Sequence, residues 1–185
     1  MTEILETATF GGGCFWCTEA IFKRLNGVES VTSGYSGGKQ ENPSYENVTT
    51  GATGHTESVQ IAFDPNIISY STLLDVFWAT HDPTTLNRQG NDVGTQYRSV
   101  IFYHSESQKK KANDSKNRLD EEKIYPDAIV TEIIPFTNFY KAEEYHLNYY
   151  DNNTTYPYCS LIIKPKIKKL LAKFGNKVKA EYKEV

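Results

Sequence analysis

The chain has 185 residues, a formal net charge of −3 and a pI near 5.8, a length that suits one domain able to bury a core without disulfides or metal. No basic stripe stands out, which argues against a nucleic-acid partner. The start, Met1–Glu6, has neither a basic region nor an apolar run, and no apolar stretch approaches the ~20 residues of a membrane helix, so a cytoplasmic protein with no membrane partner is expected.

Taken in chain order, Ala8-Thr9-Phe10 reads as the end of a short strand running into Gly11-Gly12-Gly13. Cys14 through Leu25 reads as a helix, with Ile21 and Leu25 one turn apart and Asn26-Gly27 as its stop. Val28–Tyr35 is strand-like and ends at Gly37-Gly38; residues 39–56 read as a long polar loop. Ser58–Phe63 alternates as a strand, and Asp64-Pro65 turns it. Tyr70–Thr80 is expected to be a helix, because Leu73/Phe77 and Leu74/Trp78 each fall at i and i+4.

A second polar loop spans residues 81–96, and long loops in a compact domain are usually functional. Tyr97–Tyr103 reads as a strand. Ser105 with Gln108 signals the capped start of a surface helix reaching about Glu122. Ala128–Ile134 reads as a strand, Tyr140–Tyr150 as a helix, and Ile167, Leu170, Leu171 and Phe174 mark a last amphipathic helix. Strands and helices mix irregularly without a phosphate-loop glycine signature. The expected fold is α+β: a two-layer sandwich of helices over a mainly antiparallel sheet. Residues 1–185 form one domain, with a C-terminal tail from about residue 152.

The chemistry centres on Gly11-Gly12-Gly13-Cys14-Phe15-Trp16-Cys17. Glycines allow a tight turn and close approach of a substrate. Cys14 then falls at a helix start, where free amides and the helix dipole should lower its pKa, beside an apolar wall of Phe15 and Trp16. Three cysteines are too few, and odd in number, for a disulfide framework; in a reducing compartment they point to catalysis or metal. Two rival readings are a generic disulfide oxidoreductase built on Cys14 and Cys17, and a structural zinc held by Cys14, Cys17, Cys159 and either His55 or His146. Only one paired spacing of the zinc kind is present, so no metal and no cofactor is expected.

Gly-Cys-Phe-Trp resembles the signature of the A-type peptide methionine sulfoxide reductases. So do Gly34–Gly38, Asn42–Tyr45, Thr53–Glu57, His81–Thr84 and Arg88–Ser99, and the resemblance runs from about Ala8 to Lys173. It implies a ferredoxin-like core, reduction of the S epimer of methionine sulfoxide, free or in proteins, and recycling by thioredoxin. Each epimer of this lesion has its own enzyme type.

Reducing a sulfoxide needs a thiolate to reach its sulfur, an acid for its oxygen and an apolar pocket for its methyl group. Cys14 supplies the first, and Phe15 and Trp16 would hold the methyl. By motif, the resemblance assigns the oxygen to Glu57 as the general acid, to the phenols of Tyr45 and Tyr97, and to Asp92. His55 reads as a structural hydrogen-bonding group. The Cys14 sulfenic acid is then resolved to a disulfide. Cys159 matches the C-terminal resolving cysteine of many relatives and is favoured slightly, although Ser160–Pro165 looks ordered where some relatives have a glycine-rich tail. Cys17, three residues from Cys14, is retained beside it.

Overall fold

The computed structural model describes residues 4–184; Met1–Glu3, part of the stretch read as lacking a leader, lie outside the described residues. Strand β1 (Glu6–Gly12) leads into helix α1 (Phe15–Phe22), then β2 (Val28–Ser36), a short helix α2 (Tyr45–Thr49), β3 (Thr56–Phe63) and α3 (Tyr70–Thr80). Two-residue strands β4 (Arg88–Gln89) and β5 (Asp92–Val93) make a small hairpin, followed by β6 (Ser99–Tyr103), α4 (Glu106–Glu121), β7 (Glu132–Pro135), β8 (Tyr140–Lys141), α5 (Tyr149–Asn152) and α6 (Lys164–Phe174). The result is a mixed α/β fold around a six-stranded sheet in the order β7-β6-β1-β3-β2-β8. Neighbouring strands are antiparallel except for β6 and β7, which run parallel.

The core lies where α1 and α3 meet the sheet. Phe10 of β1 packs against Phe22 of α1, with ring centroids 5.4 Å apart, and stacks on Phe77 of α3 at 5.0 Å. Leu73, Leu74, Phe77 and Trp78 are all buried, as their helical spacing predicts. Trp78 Nε1 donates to Ser115 Oγ at 3.0 Å, joining α3 to α4. Ser105 Oγ caps α4 by accepting the Gln108 amide, and the Gln108 side chain then donates to the Thr7 carbonyl in β1.

Several expectations about elements need correction. Tyr140–Tyr150 is not a helix. Tyr140 and Lys141 extend the sheet edge against Gly34 and Tyr35, Glu144–His146 form one 3-10 turn, and Asn148 takes a left-handed φ of 53° that starts α5 afresh. Edge pairing and buried side-chain partners override the weak helical spacing there. The strand expected from Ala128 begins only at Glu132, because the amides of Ile129 and Val130 bond to the Asp120 side chain and the Pro83 carbonyl. Tyr97 closes a 3-10 turn, Thr95–Tyr97, before β6. The stretch read as a loop over 39–56 contains α2, capped reciprocally by Ser44 and Asn47, and the one over 81–96 contains β4 and β5.

The C-terminal segment is packed and ordered. Asp151 accepts from Lys23 Nζ at 2.5 Å and Arg24 Nη2 at 2.6 Å, and Leu25 bridges to Val178. Cys159–Ile163 form a π-helical turn that continues into α6. Such turns are rare and frequently occur at functional sites.

Candidate active site

The triple glycine brings β1 to the site and turns it there. Gly13 has a φ of 95°, and a Cβ on it would lie 2.6 Å from Gln89 Cγ, so only glycine fits between β1 and the hairpin. Cys14 follows as the N-cap of α1, with ψ of 125°, outside the helix proper, and only 8% exposed. It borders an open cleft of about 280 Å³ whose other walls include Gln89, Asp92, Tyr158, Ile162 and Lys166.

The next residue ties the nucleophile candidate to the sheet. The Phe15 amide donates to Glu57 Oε2 at 3.0 Å. Glu57, on β3 opposite Tyr35, is 2% exposed. Burial in low dielectric pushes its carboxyl up to about 8, against the pull of the Phe15 amide, with the nearby charge of Asp92 adding to the rise. At neutral pH the group is therefore mostly the neutral acid. Since Oε2 accepts from Phe15, Oε1 is the oxygen free to carry the proton.

Two phenols stand in the field of the same groups. Tyr45 is pushed up to about 12 by burial and by the charges of Glu57 and Cys14. Tyr97 rises for the same reasons, with Tyr45 itself contributing. Both remain protonated donors throughout the physiological range. Tyr45 is held by its amide, which donates to Glu143 Oε2 at 3.0 Å, while Glu143 Oε1 accepts from Tyr35 at 2.9 Å. Asp92 reaches the site from β5 and accepts from the Tyr158 hydroxyl at 2.6 Å.

Aromatic packing fixes Phe15 and Trp16. Phe15 is buried against Tyr35 and His146, with centroids at 5.7 and 5.0 Å. Trp16 stacks flat on Tyr149 at 3.7 Å, meets Tyr158 edge-on at 5.9 Å, and donates from Nε1 to His146 Nδ1 at 3.0 Å. Burial lowers the pKa of His146, keeping it neutral, so its proton sits on Nε2, which has no partner among the described residues.

The expectation that the helix start lowers the Cys14 pKa is overturned. Burial raises it well above the ordinary thiol value, the Cys17 thiol and Glu57 raise it further, and the Trp16 amide opposes them only weakly. Cys17 goes the other way, to about 7: pairing with Cys14 lowers it more than its own burial raises it. The two thiols form one coupled system, in which the first proton is lost far more readily than the second.

Of the residues singled out in the sequence, Cys14 and Asp92 border the cleft, and Cys17, Glu57, Tyr45, Tyr97, Phe15 and Trp16 lie close to Cys14 without lining it. Cys159 does not border the cleft; its side chain is fully buried in the π-helical turn, and burial raises its pKa. His55 is structural: Nδ1 accepts from the Gly38 amide at 3.0 Å and Nε2 bonds to the Gln40 carbonyl at 2.7 Å, pinning two loops together. Among the described residues, no three His, Cys, Asp or Glu side chains cluster as a metal site. Sequence reasoning missed Tyr158, Glu143 and Lys166, and considered His146 only as a zinc ligand rather than as the acceptor for Trp16. Only Tyr158 carried a signal, its place beside Cys159.

The family model for peptide methionine sulfoxide reductase matches residues 6–179. A peptide methionine sulfoxide reductase MsrA from Sulfolobus acidocaldarius is 58% identical over 173 residues, covering 94% of this chain and 97% of that protein. Mxr1 from Saccharomyces cerevisiae in reduced form superimposes with a TM-score of 0.76 at 35% identity, over 84% of this chain and 89% of that one. Mxr1 in complex with Trx2 superimposes with a TM-score of 0.56 at 26% identity, over 80% and 87% of the two chains.

Proposed function

The chain belongs to the peptide methionine sulfoxide reductase family, and we propose that it reduces the S epimer of methionine sulfoxide, free or in proteins, with Cys14 as the nucleophile. The observation that carries this reading is the junction of Cys14 and Glu57: a cleft-lining thiol whose neighbouring amide is held by a buried, neutral carboxylic acid.

The Cys14 sulfur attacks the sulfoxide sulfur and gives up its thiol proton, which replaces the one that Glu57 donates. Glu57 Oε1 delivers a proton to the sulfoxide oxygen, assisted by the phenols of Tyr45 and Tyr97, while Asp92 orients its neighbours. Phe15 and Trp16 hold the methyl group. Methionine leaves, and its oxygen stays on Cys14 as a sulfenic acid. A second thiol, Cys17 or Cys159, displaces that oxygen as water and forms a disulfide. An external dithiol then reduces the disulfide by exchange. The fit to Mxr1 in complex with Trx2 supports thioredoxin in that role.

We read residues 1–185 as one catalytic domain whose tail, from about residue 152, carries Cys159. The spatial order β6-β1-β3-β2, with α1 between β1 and β2 and α3 between β3 and β6, supports a ferredoxin-like core within a two-layer sandwich. The three free thiols fit a reducing cytoplasm, and no helix among the described residues is long and apolar enough to cross a membrane.

An assay with the two sulfoxide epimers supplied separately, with dithiothreitol as reductant, tests the reading. Donors on one side of the pocket and an apolar wall on the other should admit the S sulfoxide and largely reject R. Equal rates on both would contradict it.

A further inference from the structure

Resting on the reading that Cys14 is the nucleophile, we propose that Lys166 is a specificity-determining residue that favours polypeptide substrates with an acidic side chain next to the methionine sulfoxide. The cleft of about 280 Å³ borders Cys14, but Phe15, Trp16, Glu57, Tyr45 and Tyr97 do not line it. With the methyl group and the oxygen held by those residues, the rest of the substrate extends from the reacting sulfur into this cleft. Its walls therefore meet whatever flanks the oxidised residue.

The cleft has one cation and one carboxylate on its walls, and they are not equally available. Asp92, on β5, accepts from the Tyr158 hydroxyl at 2.6 Å. The Gln89 carboxamide is likewise committed, exchanging two hydrogen bonds with the Asp82 backbone at 3.0 and 2.9 Å. Lys166, on α6, is half-buried at the cleft, and among the described residues no hydrogen bond or ion pair holds its ammonium. The positive charge continues along the helix. Helix α6 carries five lysines and no acidic residue, in a chain whose net charge is −3. Lys166, Lys169 and Lys173 fall at i, i+3 and i+7, on one face of the helix. Ile162, which also borders the cleft, lies one turn before Lys166. The cleft thus opens onto a positive helix edge that attracts anionic segments.

A glutamate or aspartate beside the methionine sulfoxide brings its carboxylate to Lys166, and a lysine there is repelled. A half-buried pair of charges is screened less than an exposed one, so the discrimination is measurable. The contact lies away from the reacting atoms and is made equally before and during the chemical step. It therefore shows in KM rather than kcat.

The test compares capped peptides in which X is the only charged position: acetyl-X-Met(O)-Ala-amide and acetyl-Ala-Met(O)-X-amide, as the S sulfoxide, with Glu, Gln or Lys at X. Dithiothreitol is the reductant, so a protein reductant approaching the same lysines plays no part. In wild type, kcat/KM for Glu should exceed that for Gln by about threefold to tenfold on at least one side of the sulfoxide at low ionic strength. The difference should lie in KM and shrink toward parity in about 0.5 M KCl. Lys166→Met should remove the preference, Lys166→Arg should keep it, and Lys166→Glu should invert it in favour of the Lys peptide. Each comparison is a ratio within one protein, so a general loss of activity in a variant leaves it readable. Equal kcat/KM for the Glu, Gln and Lys peptides in wild type, or a Glu preference that persists in Lys166→Met, would overturn the inference while methionine release left the reaction standing. Absence of methionine from every peptide with wild type would overturn the reading on which it rests.

Discussion

Replacing Glu57 by Gln perturbs catalysis and stability in opposite directions. Gln keeps the size of the side chain and an oxygen to accept the Phe15 amide at the 3.0 Å contact, but it has no proton to deliver. The sulfoxide step should slow by about 10²–10⁴-fold, the usual contribution of a positioned general acid. In wild type that step should fall as pH rises through about 8, where the buried acid ionises, and the variant should lack this limb. Stability moves the other way. The folded-state pKa is raised above the unfolded value, so the native state binds the extra proton between roughly pH 4.5 and 8. The contribution of Glu57 to stability is therefore fully present below about pH 4.5 and is lost as pH rises through 8. Keeping the carboxyl neutral at pH 7 corresponds to about 3 kcal/mol, at about 1.4 kcal/mol per pH unit. Glu57→Gln removes that penalty and should be the more stable protein at pH 7–8, with the advantage vanishing near pH 4.5. Urea denaturation from pH 4.5 to 8.5, beside single-turnover methionine release, measures both. Parallel stability curves for the two proteins, or a variant rate within a few-fold of wild type, would refute the neutral-acid argument.

Cys14→Ser should abolish methionine sulfoxide reduction while leaving the circular dichroism spectrum and denaturation midpoint close to wild type. Gly13→Ala places a side chain at a φ of 95° and 2.6 Å from Gln89 Cγ. It should cost about 1–3 kcal/mol in denaturant titrations and lower kcat/KM by displacing Cys14. Asp151→Asn removes the negative charge shared by Lys23 and Arg24 and replaces one of its two accepting oxygens by a donor, which should cost about 1–3 kcal/mol at neutral pH. Burial works to raise the Asp151 pKa, but the two cations outweigh it and hold it below the ordinary 3.8. The stability it confers is thus present above about pH 4 and lost as pH falls further, so wild type and variant should converge in acid titrations.

What the sequence determined by itself is what depends on local periodicity and short-range chemistry. The α3 stripe Leu73/Phe77 and Leu74/Trp78, the Ser105 cap of α4, the alternation of β3 and the glycine turn before Cys14 all follow from residues within a few positions of one another. Tyr140–Tyr150 was not legible, because Tyr140 and Lys141 are set by pairing with Gly34 and Tyr35, about a hundred residues away. The same holds for the site. Cys14 is announced by its neighbours, whereas Glu57, Tyr45, Tyr97 and Asp92 come together only when β3, α2, the 3-10 turn and β5 converge. Electrostatics belongs wholly to the tertiary structure. A helix start favours a thiolate at Cys14, but burial and the nearby Glu57 and Cys17 reverse that preference. A buried charge loses more from the water it gives up than one terminal amide returns, and that balance depends on the whole packed neighbourhood.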